Sequence, residues 1–246
     1  MTRSRLLIYS LVIGLVACES KSTLFEQVPA AHSGIDFNNS IIENDSINPM
    51  NVVNIYNGGG VGIGDFNNDG LPDIYFTGNM VPSTLYLNKG DLVFEDITDK
   101  AAVGGEGRWA RGVSVVDINN DGRMDIYVCN TIYKDSLRRR NILYVNEGAD
   151  AAGIPHFKDM ASAYGLDIHV QSTLGSFFDY DNDGDLDMYL TVNEASNDNM
   201  NRFGKTAVQH SAGRLYRNDW DSAVSHAVFK DVSVQAGITL DGFGHA

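Results

Sequence analysis

The stretch that decides the fold runs from Gly60 to Asn79 and reads GVGIGDFNNDGLPDIYFTGN. It is an apolar run, an acidic loop centred on Asp-Gly, and a second apolar run. The pattern recurs twice without gaps, as GVSVVDINNDGRMDIYVCNT from Gly112 and as LGSFFDYDNDGDLDMYLTVN from Leu174. Self-similarity of this kind marks a repeat architecture. The runs beside each loop are short and rich in β-branched and aromatic residues, apolar on both faces. That predicts strand–loop–strand units sandwiched between neighbours.

Working outward, two further strands follow in each unit. A Leu-Tyr-x-Asn motif stands at Leu85–Asn88, Leu143–Asn146 and Leu215–Asn218, and a Phe-x-Asp motif at Phe94–Asp96, Phe157–Asp159 and Phe229–Asp231. The first loop aspartates, Asp65, Asp117 and Asp179, are 52 and 62 residues apart. Four antiparallel strands at such a period predict an all-β fold, a β-propeller of four-stranded antiparallel blades. About three full blades are present, and a closed ring takes about 4–8. A solenoid fits less well, since its repeats rarely hold four strands. At the N-terminal side, Leu24-Phe25-Glu26-Gln27-Val28 reads like a fourth strand without its first three. At the other end, Gly242-Phe243-Gly244-His245-Ala246 reads like the opening of another first strand. The expectation is an incomplete ring over residues 24–246, continuing beyond the chain end.

The three loops span 65–73, 117–125 and 179–187. Calcium takes 6–8 hard oxygen ligands at about 2.3–2.6 Å. Each loop offers side-chain oxygens at positions 1, 3 and 5: Asp65, Asn67 and Asp69; Asp117, Asn119 and Asp121; Asp179, Asp181 and Asp183. Glycine at position 6 permits a sharp left-handed turn. The carbonyls of Leu71, Arg123 and Asp185 at position 7 can then face inward, and Asp73, Asp125 and Asp187 at position 9 close the shell. Clustered carboxylates repel one another unless a cation joins them. About three calcium ions are expected. An EF-hand would place a bidentate glutamate at position 12. Phe76, Val128 and Leu190 stand there instead, which excludes it. Magnesium fits less well, because it dehydrates reluctantly and rarely uses all-protein cages.

The nine-residue loop between two apolar strands, followed by Leu-Tyr-x-Asn and Phe-x-Asp, resembles the FG-GAP/VCBS repeats of integrin-α-like propellers. The likeness extends from about Leu24 to the end. With Asn57-Gly-Gly-Gly-Val-Gly-Ile-Gly-Asp65 and the leader described next, the chain resembles the N-terminal part of surface VCBS-repeat lipoproteins of the Bacteroidetes type. The resemblance implies calcium at the loop positions and, commonly, seven blades. It implies no particular substrate, because the repeat serves adhesion, uptake and some lyases alike.

Residues 1–17 read as a secretory signal: Arg3 and Arg5 precede an apolar run, Leu6–Val16, too short to span a bilayer well. Leu15-Val16-Ala17-Cys18 resembles the lipobox of bacterial lipoproteins, which implies a lipidated Cys18 and a tether over 18–23. The chain is therefore expected to be exported and lipid-anchored at the bacterial outer membrane, with membrane contact through the anchor alone. Cys129 is then the one remaining cysteine, so no intrachain disulfide can form. It lies in an apolar strand pattern and reads as a buried, inert thiol.

The net charge of −14 argues against nucleic-acid binding, which needs a basic footprint. No His-Glu-x-x-His, Gly-x-Ser-x-Gly or Walker pattern occurs, and the six histidines are scattered. Gly105-Glu-Gly107-Arg-Trp-Ala110 imitates a dinucleotide fingerprint but precedes a strand, not a helix. No enzyme is expected. The distance from loop aspartate to Leu-Tyr-x-Asn grows through 20, 26 and 36 residues. These insertions lie on the face opposite the acidic loops and carry Tyr133 and Arg138–Arg140, then Arg202, Phe203, Lys205 and His210. Elaborated loops on a rigid scaffold are where binding usually resides. The leading expectation is a calcium-binding, surface-anchored module for a glycan or protein ligand. A calcium-dependent polysaccharide lyase and a purely structural scaffold are the alternatives.

Overall fold

A computed structural model of the chain describes residues 24–52, 55–193 and 213–238. The signal, Cys18 and its tether lie outside the described residues, as do Arg202–His210 and Gly242–Ala246. Among the described residues, twelve strands form three four-stranded antiparallel sheets, each in simple up-and-down order. The first holds β1 (Val61–Gly64), β2 (Asp73–Phe76), β3 (Thr84–Asn88) and β4 (Phe94–Asp96). The second holds β5 (Ala110–Val116), β6 (Asp125–Asn130), β7 (Ile142–Ala149) and β8 (Pro155–Asp159). The third holds β9 (Ser172–Phe178), β10 (Asp187–Val192), β11 (Arg214–Asp221) and β12 (His226–Asp231). These are β-propeller blades, and the four-strand period read from the sequence is their physical unit.

The two outer-strand motifs turn out to be partners. In every blade the tyrosine of Leu-Tyr-x-Asn pairs with the aspartate of Phe-x-Asp, and the asparagine with the phenylalanine: Tyr86↔Asp96, Tyr144↔Asp159, Tyr216↔Asp231; Asn88↔Phe94, Asn146↔Phe157, Asn218↔Phe229. The aspartate then caps the turn that leaves the blade. Asp96 Oδ1 accepts from Thr98 N (2.9 Å), Asp159 Oδ1 from Ala161 N (3.1 Å) and Asp231 Oδ1 from Ser233 N (3.0 Å). A short side chain that satisfies the next backbone N–H favours turns over continued strand.

Blades stack through their second and third strands. β6 is buried at all six positions and alternates between two cores. Ile126 and Val128 pack with Tyr75, Leu85 and Leu87 of the first blade, whereas Tyr127 and Cys129 pack with Met188, Leu190 and Tyr216 of the third. Period-two alternation with both faces apolar follows from a strand sandwiched between sheets. Cys129 is fully buried, and burial pushes its thiol well above the ordinary range. The inert reading of this residue holds. The innermost strands approach closely. A Cβ at Gly60 would lie 2.8 Å from the Arg111 carbonyl oxygen of the neighbouring blade, so glycine is the residue that fits.

Leu24–Val28, read as a fourth strand, belongs to no described sheet, and Leu24 and Phe25 are 91% and 85% exposed. A fourth strand forms only on a third, and each described sheet already has its own in β4, β8 or β12. The segment that follows does behave like the end of a blade. Helical turn α1 (Ala30–Ser33) closes on Gly34 at φ 73°, where a Cβ would meet Phe94 O at 2.6 Å. Gly165, after the second blade, has φ 73° and sits against Phe229 O in the same way. Residues 29–34 thus occupy on the first blade the place that 160–165 occupy on the third.

Candidate metal centre

Each acidic loop joins the first strand of a blade to its second. The registers Gly64↔Asp73, Val116↔Asp125 and Phe178↔Asp187 place position 9 as the first residue of the second strand. Asp73, Asp125 and Asp187 are fully buried. Their two oxygens are divided between two backbone donors. Oδ2 accepts from the residue at loop position 2: Phe66 N (2.9 Å), Ile118 N (3.0 Å) and Tyr180 N (2.9 Å). Oδ1 accepts from the motif asparagine on the third strand: Asn88 N (2.8 Å), Asn146 N (2.7 Å) and Asn218 N (2.8 Å). Position 9 therefore ties the loop to the second and third strands.

The asparagine answers back. Its amide donates to the carbonyl at loop position 8, from Asn88 to Pro72 O (2.9 Å), from Asn146 to Met124 O (3.2 Å) and from Asn218 to Leu186 O (3.1 Å). The sequence reading used this residue only to mark a strand. Its signal was visible: an asparagine at the same place, two residues after the tyrosine, in all three third strands.

Position 1 organises the loop's turn. Asp65 accepts from Asp69 N (3.0 Å) and Gly70 N (2.8 Å), Asp117 from Asp121 N (3.0 Å) and Gly122 N (2.8 Å), and Asp179 from Asp183 N and Gly184 N (both 3.2 Å). The position 6 glycines have φ of 87°, 83° and 97°, as the sequence required. A second left-handed residue was missed. Asn68, Asn120 and Asn182 at position 4 have φ of 58°, 56° and 63°. Asparagine is the side chain that best tolerates this region after glycine, and its presence at position 4 of all three loops was the available clue.

The loops differ in how their carboxylates are neutralised. In the first two, the position 3 amide donates to the position 5 carboxylate, Asn67 to Asp69 and Asn119 to Asp121, each at 2.9 Å. The second loop adds a guanidinium. Arg123 Nη2 lies 2.6 Å from Asp121 Oδ2, and its Nε donates to Asn146 O at 2.9 Å. The third loop has neither an amide at position 3 nor a cation. Oxygens of Asp179, Asp181 and Asp187 come within 4.8 Å of one another, the one such convergence of acidic, histidine or cysteine groups among the described residues. Asp185 Oδ1 is buried there without a hydrogen-bond partner among the described residues.

The electrostatics follow from this packing. Burial pushes the Asp73 and Asp125 carboxyls up to about 6, against the two N–H donors that favour their charge and with help from the neighbouring loop aspartates. Asp185 also rises to about 6, through burial and then through Asp183, Asp187 and Asp181. Asp181 is raised by burial and by Asp183 and Asp187. Ligands on opposite sides of a calcium ion lie up to about 5 Å apart. The oxygen-only donor set and spacing of the third loop fit that ion, with Asp179, Asp181 and Asp187 as the residues to hold it. The first two loops supply the sequence-predicted oxygens but do not gather three carboxylates together. The loops also touch: Asn68 Nδ2 donates to Gly122 O at 3.2 Å, and Asn146 Nδ2 to Phe66 O at 2.8 Å.

Residues 50–128 match the FG-GAP-like repeat. That span takes in the first two acidic loops. The third blade lies outside it, yet repeats the loop, the Tyr↔Asp and Asn↔Phe registers and the buried position 9 aspartate of this repeat. The chain is also similar to cartilage acidic protein 1. It is 29% identical to the Xenopus tropicalis protein over 140 residues, and 29% identical to the Homo sapiens protein over 140 residues. Each alignment covers 56% of this chain and 20% of the relative. The Mus musculus protein is 28% identical over 134 residues, 54% of this chain and 19% of that one. The chain thus spans about a fifth of the length of these relatives.

The face opposite the acidic loops carries the insertion of the second blade. In the second blade, residues 131–141 contain a 3-10 turn, Ser136–Arg139. Its arginines are engaged within the protein. The Arg138 guanidinium carbon sits 3.4 Å from the Tyr133 ring centroid while its Nε donates to Gly107 O (2.8 Å). Arg139 donates to the carbonyls of His169, Tyr133 and Lys134. Arg140 pairs with Asp159.

Proposed function

We propose that this chain is a calcium-stabilised β-propeller module that binds a ligand, acts without catalysis, and is exported and held at the bacterial outer membrane by lipid on Cys18. The observation that carries the calcium reading is the convergence of Asp179, Asp181 and Asp187 beside the unpartnered Asp185 oxygen. Four carboxylates packed at the mouth of one loop oppose folding until a cation joins them. The FG-GAP-like match and the rigid three-blade scaffold support a binding role, with a glycan or a protein as ligand. The elaborated face opposite the metal loops is where that ligand would dock.

Thermal unfolding with calcium and with EDTA tests the reading. At free calcium about tenfold above Kd, one site adds about 1.4 kcal/mol by linkage. The midpoint rises with calcium if the reading is right, and an unchanged midpoint sinks it. The anchor has its own test. The Cys18→Ser chain should be soluble or unprocessed where the native chain partitions with membranes, and equal partitioning would refute lipidation.

A further inference from the structure

With Arg138, Arg139 and Arg140 all engaged, Arg108 is a cation of the described residues on this face that keeps donors to spare. It is half-buried, it donates from Nη1 to Arg140 O at 2.7 Å, and no carboxylate lies at ion-pair distance from it among the described residues. A guanidinium carries five N–H donors, so most of its capacity faces the space beside it. That space is a cleft of about 450 Å³ between the first and second blades, floored by Ile142 and Tyr144. Tyr144 is buried, and its hydroxyl has no hydrogen-bond partner among the described residues. Asp99, Glu106 and the Arg140-paired Asp159 form the rim.

Gly105 lies against the floor of the cleft. Gly105 has φ 62°, and a Cβ there would project to 3.6 Å from both the Ile142 methyl and the Tyr144 hydroxyl. The volume is within the range of small-molecule sites, but the lining is a mixture of spare donors and acceptors around a small apolar floor. An anion entering would face Asp99, Glu106 and Asp159. A cation would face Arg108. A neutral molecule with several hydroxyl groups meets neither penalty, since each hydroxyl both donates and accepts.

We infer that this interblade cleft binds a neutral saccharide unit, with Arg108 and Tyr144 donating to its hydroxyl oxygens and Glu106 accepting from them. The inference rests on the ligand-binding reading above and assigns that reading a place and a ligand class. Saturation-transfer NMR on the full, calcium-loaded chain tests it, with methyl glucoside, methyl galactoside, methyl mannoside and glucuronate as probes. At least one methyl pyranoside should receive transfer. Binding should weaken about fivefold in Tyr144→Phe, which removes one hydrogen bond and keeps the ring, and at least as much in Arg108→Ala. Lys230→Ala, on the outer strand of the third blade, should leave it unchanged. Transfer to none of the pyranosides, transfer indifferent to both cleft variants, or preference for glucuronate would each overturn the inference. Failure here alongside a calcium-dependent melting shift would remove the cleft and leave the calcium-stabilised module standing. Calcium-independent melting with saccharide transfer would do the reverse.

Discussion

The second and third acidic loops share a backbone and differ in their charge. Both turn through a left-handed asparagine and a left-handed glycine, and both hang from a buried aspartate that accepts two backbone N–H groups. The second carries Asn119 and Arg123, whose amide and guanidinium reach Asp121. The third replaces them with Asp181 and Asp185, and its carboxylates crowd together with raised affinity for protons. The shape of the loop is thus set by hydrogen bonds that both versions make. What varies is whether the loop carries its own countercharge, as the second does through Arg123, or carries none, as in the third.

The largest expected effect lies where the two loops are the same. Replacing Asp125 or Asp187 by alanine leaves two backbone N–H groups without their acceptor, at a cost of about 1–3 kcal/mol each. Chemical denaturation in EDTA should therefore show a loss of about 2–6 kcal/mol in either variant. A loss seen only in calcium would mean that position 9 serves the ion alone.

The next effect separates the loops. Asp183→Ala should remove most of the calcium-dependent rise in melting midpoint, about 1.4 kcal/mol at tenfold excess over Kd, whereas Asp121→Ala should remove less. Equal effects would erase the contrast drawn from Arg123. Conversely, Arg123→Leu frees Asp121 from a partly exposed ion pair of about 0–1 kcal/mol, so calorimetry should find tighter calcium binding at the second loop. Unchanged or weaker binding would show that the guanidinium does not compete with the ion.

The pH dependence should change sign with calcium. Asp73, Asp125 and Asp185 hold protons more tightly folded, at about 6, than a carboxyl does in the unfolded chain, about 3.9. The native state then binds more protons across that window, so in EDTA stability falls as pH rises from about 4 to above 6. Calcium requires the ionised carboxylates, so its stabilisation grows over the same range. Denaturation midpoints at several pH values, with and without calcium, should cross. Parallel curves would contradict the buried, mutually repelling loop.

The smallest effect concerns how far the loops are separate. Asn68 is left-handed and its side chain bridges to Gly122 O. Asn68→Gly keeps the backbone conformation easy and removes the bridge. It should cost about 1 kcal/mol or less, with a small change in calcium affinity at the second loop. No change there would make the blades energetically independent at this end.

What the sequence alone determined is the part of the molecule that repeats. The alternation of apolar residues around Asp-x-Asn/Asp-Asn-Asp-Gly, with Leu-Tyr-x-Asn and Phe-x-Asp behind it, specified the four strands of every blade, the position 6 turns and the burial of Cys129, because period-two burial and left-handed backbone restrict residue type locally. What only the tertiary structure decided depends on atoms brought together from distant segments. Asp73 accepts from Asn88, fifteen residues on, and Asn68 reaches Gly122, fifty-four on. Arg138 to Arg140 look like free cations in the sequence and are spent on carbonyls, a ring and Asp159, which leaves Arg108, from the preceding connection, facing the cleft. Leu24–Val28 has a fourth strand's composition without a described third strand to bond. Side-chain capacity is a local property that a sequence displays, whereas its use depends on which partners the fold carries to within about 3 Å.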